Sequence, residues 1–417
     1  MLSEIPIQEQ TSGGVRLYKP RQLRDQLLLR DIPDSKKYVL SKTYLARDDS
    51  FGNGFARAVL ASNGEFTFLK DRTASVYEYG EPNGKSLVHP KGPDNPVHAF
   101  YGKIISTLYG HKVENGEHNP LWREIASDPS NNILIDDLHD HSKVTVVDGK
   151  VAWVTGINFG NEHLKNDAWH DMAIRIEDPE QCLKLLKLLA GETRGAKEDG
   201  SGINFLHGDG EVLKPELVKF IEETRDELTV FMAYLGDPDF TQALAKILQK
   251  GCRIKLIVPE NPSVNRGHNL TALNQLVNAG GFDPRNLEIF LSPEMGHGKG
   301  LLRDNKTAWI GSKNMTRADM LMDTVVTVQD PIVVTTFQQA AAEIQAHATL
   351  FTGSELKKKF GKVSPKDQLL QVLENIGLTF TEATFALNAD EIARARGLSR
   401  DQIKQVLQRF HGGASRF

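Results

Sequence analysis

One feature of this chain restricts its fold more than any other: an octad pattern that occurs twice. Residues 141–158 read HSKVTVVDGKVAWVTGIN and residues 297–314 read HGKGLLRDNKTAWIGSKN. Both fit His-x-Lys-x4-Asp, then six residues, then a four-residue Gly-containing segment that ends in Asn. Ala152-Trp153 and Ala308-Trp309 coincide as well. One such octad is weak evidence, because short patterns recur by chance. Two in register, with the same extension, indicate a duplicated unit.

A second likeness lies upstream of each copy. Residues 38–69 and 228–259 each begin with an apolar strand that ends in Tyr-Leu (Tyr44-Leu45 and Tyr234-Leu235). Each continues through an acidic loop, a helix and a Gly (Gly64, Gly251) into another apolar strand. Strand, helix, strand, found twice, predicts parallel strands covered by helices. The expected architecture is α/β, with two α/β/α sandwich repeats and a small helical C-terminal tail. Repeat one is expected over 1–190, a Gly-rich linker over 191–211, repeat two over 212–354, and a tail over 355–417. Repeat two is expected to open with a helix near Leu213 to Leu228. Tyr44 and His141 are 97 residues apart, Tyr234 and His297 only 63, so repeat one carries an insertion, mostly within 72–131. The insertion reads either as a loop that shapes a pocket or as a surface elaboration.

Composition narrows the class. The 417 residues are 40% hydrophobic and 25% charged, enough apolar surface for large cores and too much for a chain disordered throughout. The net charge of −4 gives no global case for coating nucleic acid. The two cysteines, Cys182 and Cys252, argue against a disulfide framework or a Cys-rich zinc site. The segment MLSEIPIQEQTSGG has no basic stretch followed by an apolar one, so no signal peptide is expected. No run of roughly 18 apolar residues occurs, so no transmembrane segment is expected either. The expected location is cytoplasmic, with peripheral membrane contact, and export without a cleaved signal stays open.

The octad's chemistry follows from strand geometry. Residues two apart in a strand share a face, so His141 projects with Lys143 and His297 with Lys299. Asp148-Gly149 and Asp304-Asn305 are hairpin turn signals, and Asp148 and Asp304 there have a structural role, accepting hydrogen bonds from turn amides. Imidazole titrates near neutrality and serves as nucleophile or proton donor. Lysine supplies positive charge for phosphoryl oxygens. Two copies face to face place two His and two Lys around one phosphate: one His attacks phosphorus, the other protonates the leaving oxygen, and water or an alcohol resolves the phosphohistidine. No cofactor and no metal is required. Asn158 and Asn314, equivalent positions past each hairpin, can donate to the same phosphate. The alternative of a metal cluster at Asp136, Asp137, His139 and His141 has no counterpart in the second copy, where Met295 and Gly296 precede His297.

These residues resemble the phospholipase D superfamily, whose signature is this duplicated His-Lys-Asp motif. The resemblance covers roughly residues 38–330. It implies two repeats related by a pseudo-twofold axis with one active site between them. It also implies His141 as nucleophile and His297 as general acid, with Lys143, Lys299, Asn158 and Asn314, and Ser312 beside them, binding phosphate. The family places an acidic residue after each motif to orient the catalytic His; Asp171, in Trp169-His170-Asp171, and Asp323 fall there. Asp323 where many relatives have Glu, and Thr155-Gly156 where relatives often have Gly-Gly or Gly-Ser, are departures. The surroundings of the first motif resemble the phospholipase D and cardiolipin synthase branch. This implies a phosphodiesterase or phosphatidyl transferase that meets phospholipid peripherally at a membrane surface.

The tail supports a competing function. Its eleven Lys and Arg against seven Asp and Glu give it +4. Ser364-Pro365, Asn388, Gly397 and the Ser399/Gln402 pair punctuate three helices. ADEIARARGLSRDQIKQVLQRF resembles a helix-turn-helix with Arg400 and Lys404 exposed, so the alternative reading is a nuclease of the same superfamily with nucleic acid as partner. A basic helical hairpin packed on the core, or on a membrane surface, is the plainer reading of the same residues.

Overall fold

Each repeat folds because its apolar runs are short, β-branched and closed by strong turn and cap residues. The computed structural model describes residues 14–71, 74, 78, 86–88, 119–136, 139–164, 170–192, 200–262, 266–317 and 320–362. Most of the insertion, Asp137, Trp169 and the tail from 363 onward, with its helix-turn-helix resemblance, lie outside the described residues.

Repeat one holds β1 (Val15–Tyr18), β2 (Tyr38–Thr43), β3 (Glu65–Asp71), β4 (Asn132–Asp136), β5 (Val144–Val147), β6 (Val151–Thr155) and β7 (Ala173–Glu177). They form one sheet in the order β1-β7-β6-β5-β2-β3-β4. Repeat two holds β8 (Ile203–Gly208), β9 (Glu227–Met232), β10 (Arg253–Pro259), β11 (Leu287–Ser292), β12 (Lys299–Arg303), β13 (Thr307–Gly311), β14 (Asp323–Val328) and β15 (Thr349–Phe351). Their order is β15-β11-β10-β9-β12-β13-β14-β8. The sequence β7-β6-β5-β2-β3-β4 is repeated as β14-β13-β12-β9-β10-β11. In both, three parallel strands meet a hairpin and its neighbour running antiparallel. The duplication read from the octads is therefore a duplication of topology.

The correspondence extends further than the sequence reading. β1 pairs antiparallel with β7, and β8 pairs antiparallel with β14. The stretch read as a linker, 191–211, thus contains the opening strand of repeat two. Its Gly-rich flanks hide a strand whose Phe205 and Leu206 are buried. The expected opening helix is also shorter: it spans Gly210–Glu222, and Leu228 already lies in β9.

Nine α-helices occur among the described residues: α1 (Pro20–Gln26), α2 (Ser50–Ala61), α3 (Pro120–Ser127), α4 (Pro179–Leu189), α5 (Gly210–Glu222), α6 (Pro238–Gln249), α7 (Arg266–Asn278), α8 (Pro331–His347) and α9 (Ser354–Phe360). Asp178, Asp237 and Asp330 each cap the first turn of α4, α6 and α8 with a carboxylate, and Pro follows each. Both choices favour a helix start, since the carboxylate takes orphan N–H groups and Pro has none to lose. Helix α4 and helix α8 contribute Leu185, Leu188, Val333 and Phe337 to one apolar core with Val144 and Ile174 from the first sheet and Phe231 and Val326 from the second. Each sheet has a separate outer core; equivalent tryptophans, Trp153 and Trp309, fill them. The beginning of the expected tail, α9, packs on the second outer core through Leu356 and Phe360.

The turn aspartates behave as a matched pair. Asp148 and Asp304 adopt positive φ, as the two-residue hairpin requires. Their carboxylates do not serve their own turns. Asp148 accepts from the Lys36, Lys37 and Tyr38 amides and the Ser35 hydroxyl, and Asp304 accepts from the amides of Arg225, Asp226 and Glu227. Each therefore ties the hairpin to the chain entering the central parallel strand. Burial pushes the Asp148 carboxyl up, but these donors outweigh it and hold the group down at about 2. A depressed carboxyl stabilises the fold above the unfolded-state value of about 4 and loses that contribution as pH falls toward 2. Asp148→Ala and Asp304→Ala are each expected to cost about 2 kcal/mol by stranding these amides. Urea midpoints that match wild type at pH 7 would refute the shared role.

Candidate active site

The two octads meet where the sheets face each other, and backbone hydrogen bonds across the junction bring them there. His141 N–H donates to the Met322 carbonyl at 2.7 Å, and Met322 N–H donates to His139 at 2.7 Å. His297 N–H donates to the His170 carbonyl at 2.7 Å, and His170 N–H donates to Met295 at 2.9 Å. Each segment that leads into a motif histidine thus runs beside the segment that leads into the other repeat's aspartate.

The side chains cross in the same way. His141 Nδ1 lies 2.9 Å from Asp323 Oδ1, and His297 Nδ1 lies 2.6 Å from Asp171 Oδ2. Each aspartate orients the histidine of the opposite repeat. With Nδ1 committed to a carboxylate, Nε2 is the atom left for chemistry. The lysines lie beneath. Lys143 Nζ donates to the His141 carbonyl at 2.6 Å. Lys299 Nζ bonds the His297 carbonyl and stands 3.0 Å from both ring nitrogens of His297. Both lysines are fully buried.

Burial and like charge set the protonation. Burial, then Lys143, pushes His141 down to about 4 despite Asp323. Burial, then Lys299 and Lys143, drives His297 well below the ordinary histidine range. Burial and Lys299 bring Lys143 down to about 7, and burial brings Lys299 down to about 8. Lys299 lowers Lys143 through like charge, so an anion entering beside both lysines would favour their charged forms.

The expected phosphate ligands do not match across the two repeats. Asn158 Oδ1 accepts from the Leu45 amide at 3.1 Å, so only its NH2 end can face a ligand. In repeat two that bond is made from helix α7: Asn269 Oδ1 accepts from Leu235 at 2.7 Å. Asn314 is thereby released, and its Oδ1 is buried with no hydrogen-bond partner among the described residues. Ser312, expected at the substrate, donates its hydroxyl to Asp323 Oδ1 at 2.6 Å and so acts behind His141.

Other groups come into the site that the sequence reading did not name as functional. Tyr44 and Tyr234 lie beside their own repeats' lysines, with Lys143 Nζ 5.3 Å and Lys299 Nζ 6.0 Å from the ring centres. The Tyr44 ring is 4.8 Å from His141, edge-on. The repeated Tyr-Leu was the available signal, read only as a strand end. His170 and Glu294 pair across the repeats. His163 is buried beside Asp171 and His297, and the donor atoms of these three lie within 4.8 Å of one another. Such spacing suits a metal ion, but the buried ammonium of Lys299 against the His297 ring opposes a cation there. The metal alternative at Asp136 to His141 fares no better, since His139 is exposed and His141 is turned to Asp323.

The chain is similar to several known proteins. The family described as "Cardiolipin synthase, PLD-like domain" matches residues 217–347. Cardiolipin synthase B of Escherichia coli is 29% identical over 204 residues, 42% of this chain and 48% of that protein. The chain thus matches about half the length of that relative. Cardiolipin synthase of Oceanobacillus iheyensis is 23% identical over 333 residues, 73% of this chain and 62% of that protein. The crystal structure of phosphatidylserine synthase from Haemophilus influenzae Rd KW20 superposes with a TM-score of 0.62 at 12% identity, covering 87% of this chain and 93% of that one.

The crossed pairing has a direct consequence. Asp323→Asn is expected to lower the protonation midpoint of His141 and leave His297 unchanged, and Asp171→Asn to do the reverse. Histidine NMR titrations of the two variants test this; a shift of His141 in Asp171→Asn or of His297 in Asp323→Asn would contradict the crossing.

Residues 217–347 match a cardiolipin synthase, PLD-like domain, cardiolipin synthases are among the proteins the chain is similar to, and the chain takes the fold of that phosphatidylserine synthase.

Proposed function

We propose that this protein transfers phosphatidyl groups between alcohols on phospholipids, through a covalent phosphohistidine and without a metal. The observation that carries this reading is the pair of buried His-Lys sets, each histidine held at Nδ1 by a carboxylate from the other repeat.

In the proposed reaction, Lys143 and Lys299 neutralise the non-bridging oxygens of a phosphodiester. His297 takes up a proton at Nε2 as the anion enters; His141 Nε2 then attacks phosphorus, the P–O bond to the leaving alcohol breaks, and His297 gives that oxygen this proton. An incoming alcohol then returns its proton to His297 as its oxygen displaces His141 from phosphorus. Water in place of the alcohol gives hydrolysis.

The environments of the two aspartates support His141 as nucleophile. Burial raises the Asp323 carboxyl, but His141, Lys313 at 3.9 Å and the Ser312 hydroxyl outweigh it and keep the group below its ordinary value. A firmly ionised carboxylate at Nδ1 strengthens Nε2 as a nucleophile. Asp171 is shifted the other way, raised by burial. His141 also keeps 14% of its side chain exposed, against 7% for His297, so a substrate reaches it more readily.

The lipid half of the reading draws on the cardiolipin synthase homologues. No helix among the described residues is long and apolar enough to cross a membrane, so contact with lipid is proposed to be peripheral. Met320, 77% exposed, lies two residues from Met322, which pairs with His141, and would present an apolar side chain near the site.

The deciding experiment is mass spectrometry of products from purified protein with phospholipid vesicles, a small alcohol and EDTA. Phosphatidyl-alcohol or phosphatidic acid is expected from wild type. His141→Ala and His297→Ala are each expected to lose a factor of order 10³ or more. Near-native turnover in either variant would remove the two-histidine mechanism, and clear inhibition by EDTA would restore a metal. The pH dependence has a definite sign. Lys143 and Lys299 lose their charge as pH rises through about 7 and about 8, so kcat/KM is expected to decline there. A bound anion raises both lysines, so kcat is expected to persist to higher pH than kcat/KM. A kcat/KM profile flat to pH 10 would count against the lysines as the anion site.

A further inference from the structure

His163 is a buried imidazole that this mechanism leaves unused. It ends the short turn Asn161–His163, anchored by the buried ion pair of Glu162 with Arg47 at 3.2 Å. The Asn158 amide donates to His163 Nε2 at 3.3 Å. An imidazole nitrogen accepts only when it carries no proton. Burial, with His297, Lys299 and Lys143 nearby, keeps the ring neutral against the opposing pull of Asp171. The single proton is therefore on Nδ1. That atom stands 4.0 Å from Asp171 Oδ2, an electrostatic contact longer than a hydrogen bond, and the ring stands edge-on to His297 with centres 5.2 Å apart.

The other His–Asp pair shows what this placement supplies. Asp323 has the Ser312 hydroxyl at 2.6 Å and the Lys313 ammonium at 3.9 Å. The equivalent positions in repeat one are Gly156 and Ile157. A Cβ on Gly156 would lie 2.6 Å from Asp171 Oδ1, so a serine there would push the carboxylate from its place at His297, and isoleucine offers no donor. Asp171 Oδ1 accepts from the Met172 amide at 2.8 Å, so the oxygen that meets His297, Oδ2, is the one left for a further neighbour, and a neutral one adds no further cation beside Lys299.

We propose that His163 is a positioning residue for the His297–Asp171 pair, its Nδ1–H taking beside Asp171 the place that Lys313, at a similar distance, takes beside Asp323. It holds the carboxylate aimed at His297 Nδ1, and so keeps His297 Nε2 toward the phosphate. The role in turnover rests on the phosphoryl-transfer reading above; the role in orienting His297 does not.

The test uses the full chain with labelled histidines. Ring 15N and N–H signals are recorded with inorganic phosphate as the bound anion, in wild type, His163→Phe and His163→Gln. Wild type is expected to show His163 protonated at Nδ1 and a downfield His297 Nδ1–H. In His163→Phe that signal moves upfield, kcat falls by about 10- to 100-fold and KM changes by less than about twofold. Glutamine, whose amide can donate to the same carboxylate, recovers most of kcat. If His163→Phe does not fold, His163→Leu takes its place. An unchanged His297 signal in the folded apolar variant overturns the proposal, as does equal loss in the apolar and Gln variants. A shifted His297 signal in a protein that turns over no phospholipid keeps the positioning role and discards the lipid substrate.

Discussion

The exchange of partners between repeats is the constraint on which the site depends. A histidine that must use Nε2 needs something to occupy Nδ1, and in each repeat the occupant comes from the other. Neither half contains a complete pair. The backbone bonds of His141 to Met322 and His297 to His170 make this exchange geometric as well as electrostatic, because they fix the register in which the carboxylates arrive. The large apolar core shared by α4, α8 and both sheets follows from the same need. Crossed pairs a few ångströms long fail if the halves slide, and interfaces with little apolar contact allow such motion.

Charge explains why the pairs can be buried. Lys143, Lys299, Asp171 and Asp323 sum to zero when all are ionised, so the empty site avoids the cost of an isolated buried ion. The arrangement is nonetheless strained toward fewer protons: both lysines and both histidines are lowered. A phosphodiester anion reverses that tendency, since its charge favours the ammonium groups and an imidazolium together. In the proposed reaction substrate entry and proton uptake are one event, and the acid needed for the leaving group is formed only when the phosphate is present.

Much of this was legible in the sequence because the octads encode local geometry. His and Lys two apart share a strand face whatever the fold, and Asp-Gly or Asp-Asn after four strand residues makes the same hairpin twice. What the sequence concealed are relations between distant segments. Asp171 and Asp323 were identifiable as orienting acids, but nothing in their spacing told which histidine each would meet. Asp148 was read as serving its own turn, whereas its amides come from Lys36, Lys37 and Tyr38, over a hundred residues away. Ser312 sits beside a phosphate ligand in sequence and points backward in space. The strand β8 was missed because its glycine flanks carry a loop signature, and only pairing with β14 makes it a strand.

The departures from exact repetition are as informative as the repeat. A duplicated site begins with two identical pairs, yet the reaction asks for one nucleophile and one proton carrier. Ser312 and Lys313 hold one carboxylate below its ordinary value, while Gly156 puts no side chain at the equivalent place and Asp171, with the Met172 amide and Lys299 beside it, is still raised by burial. Asn314 is freed by Asn269 at the place where Asn158 is held by Leu45. These differences lie in the supporting residues while the His-Lys pairs stay the same. In the proposed reaction roles can therefore diverge without loss of a reacting group: the shared motif supplies the chemistry twice, and its unequal support favours one copy as the one that begins.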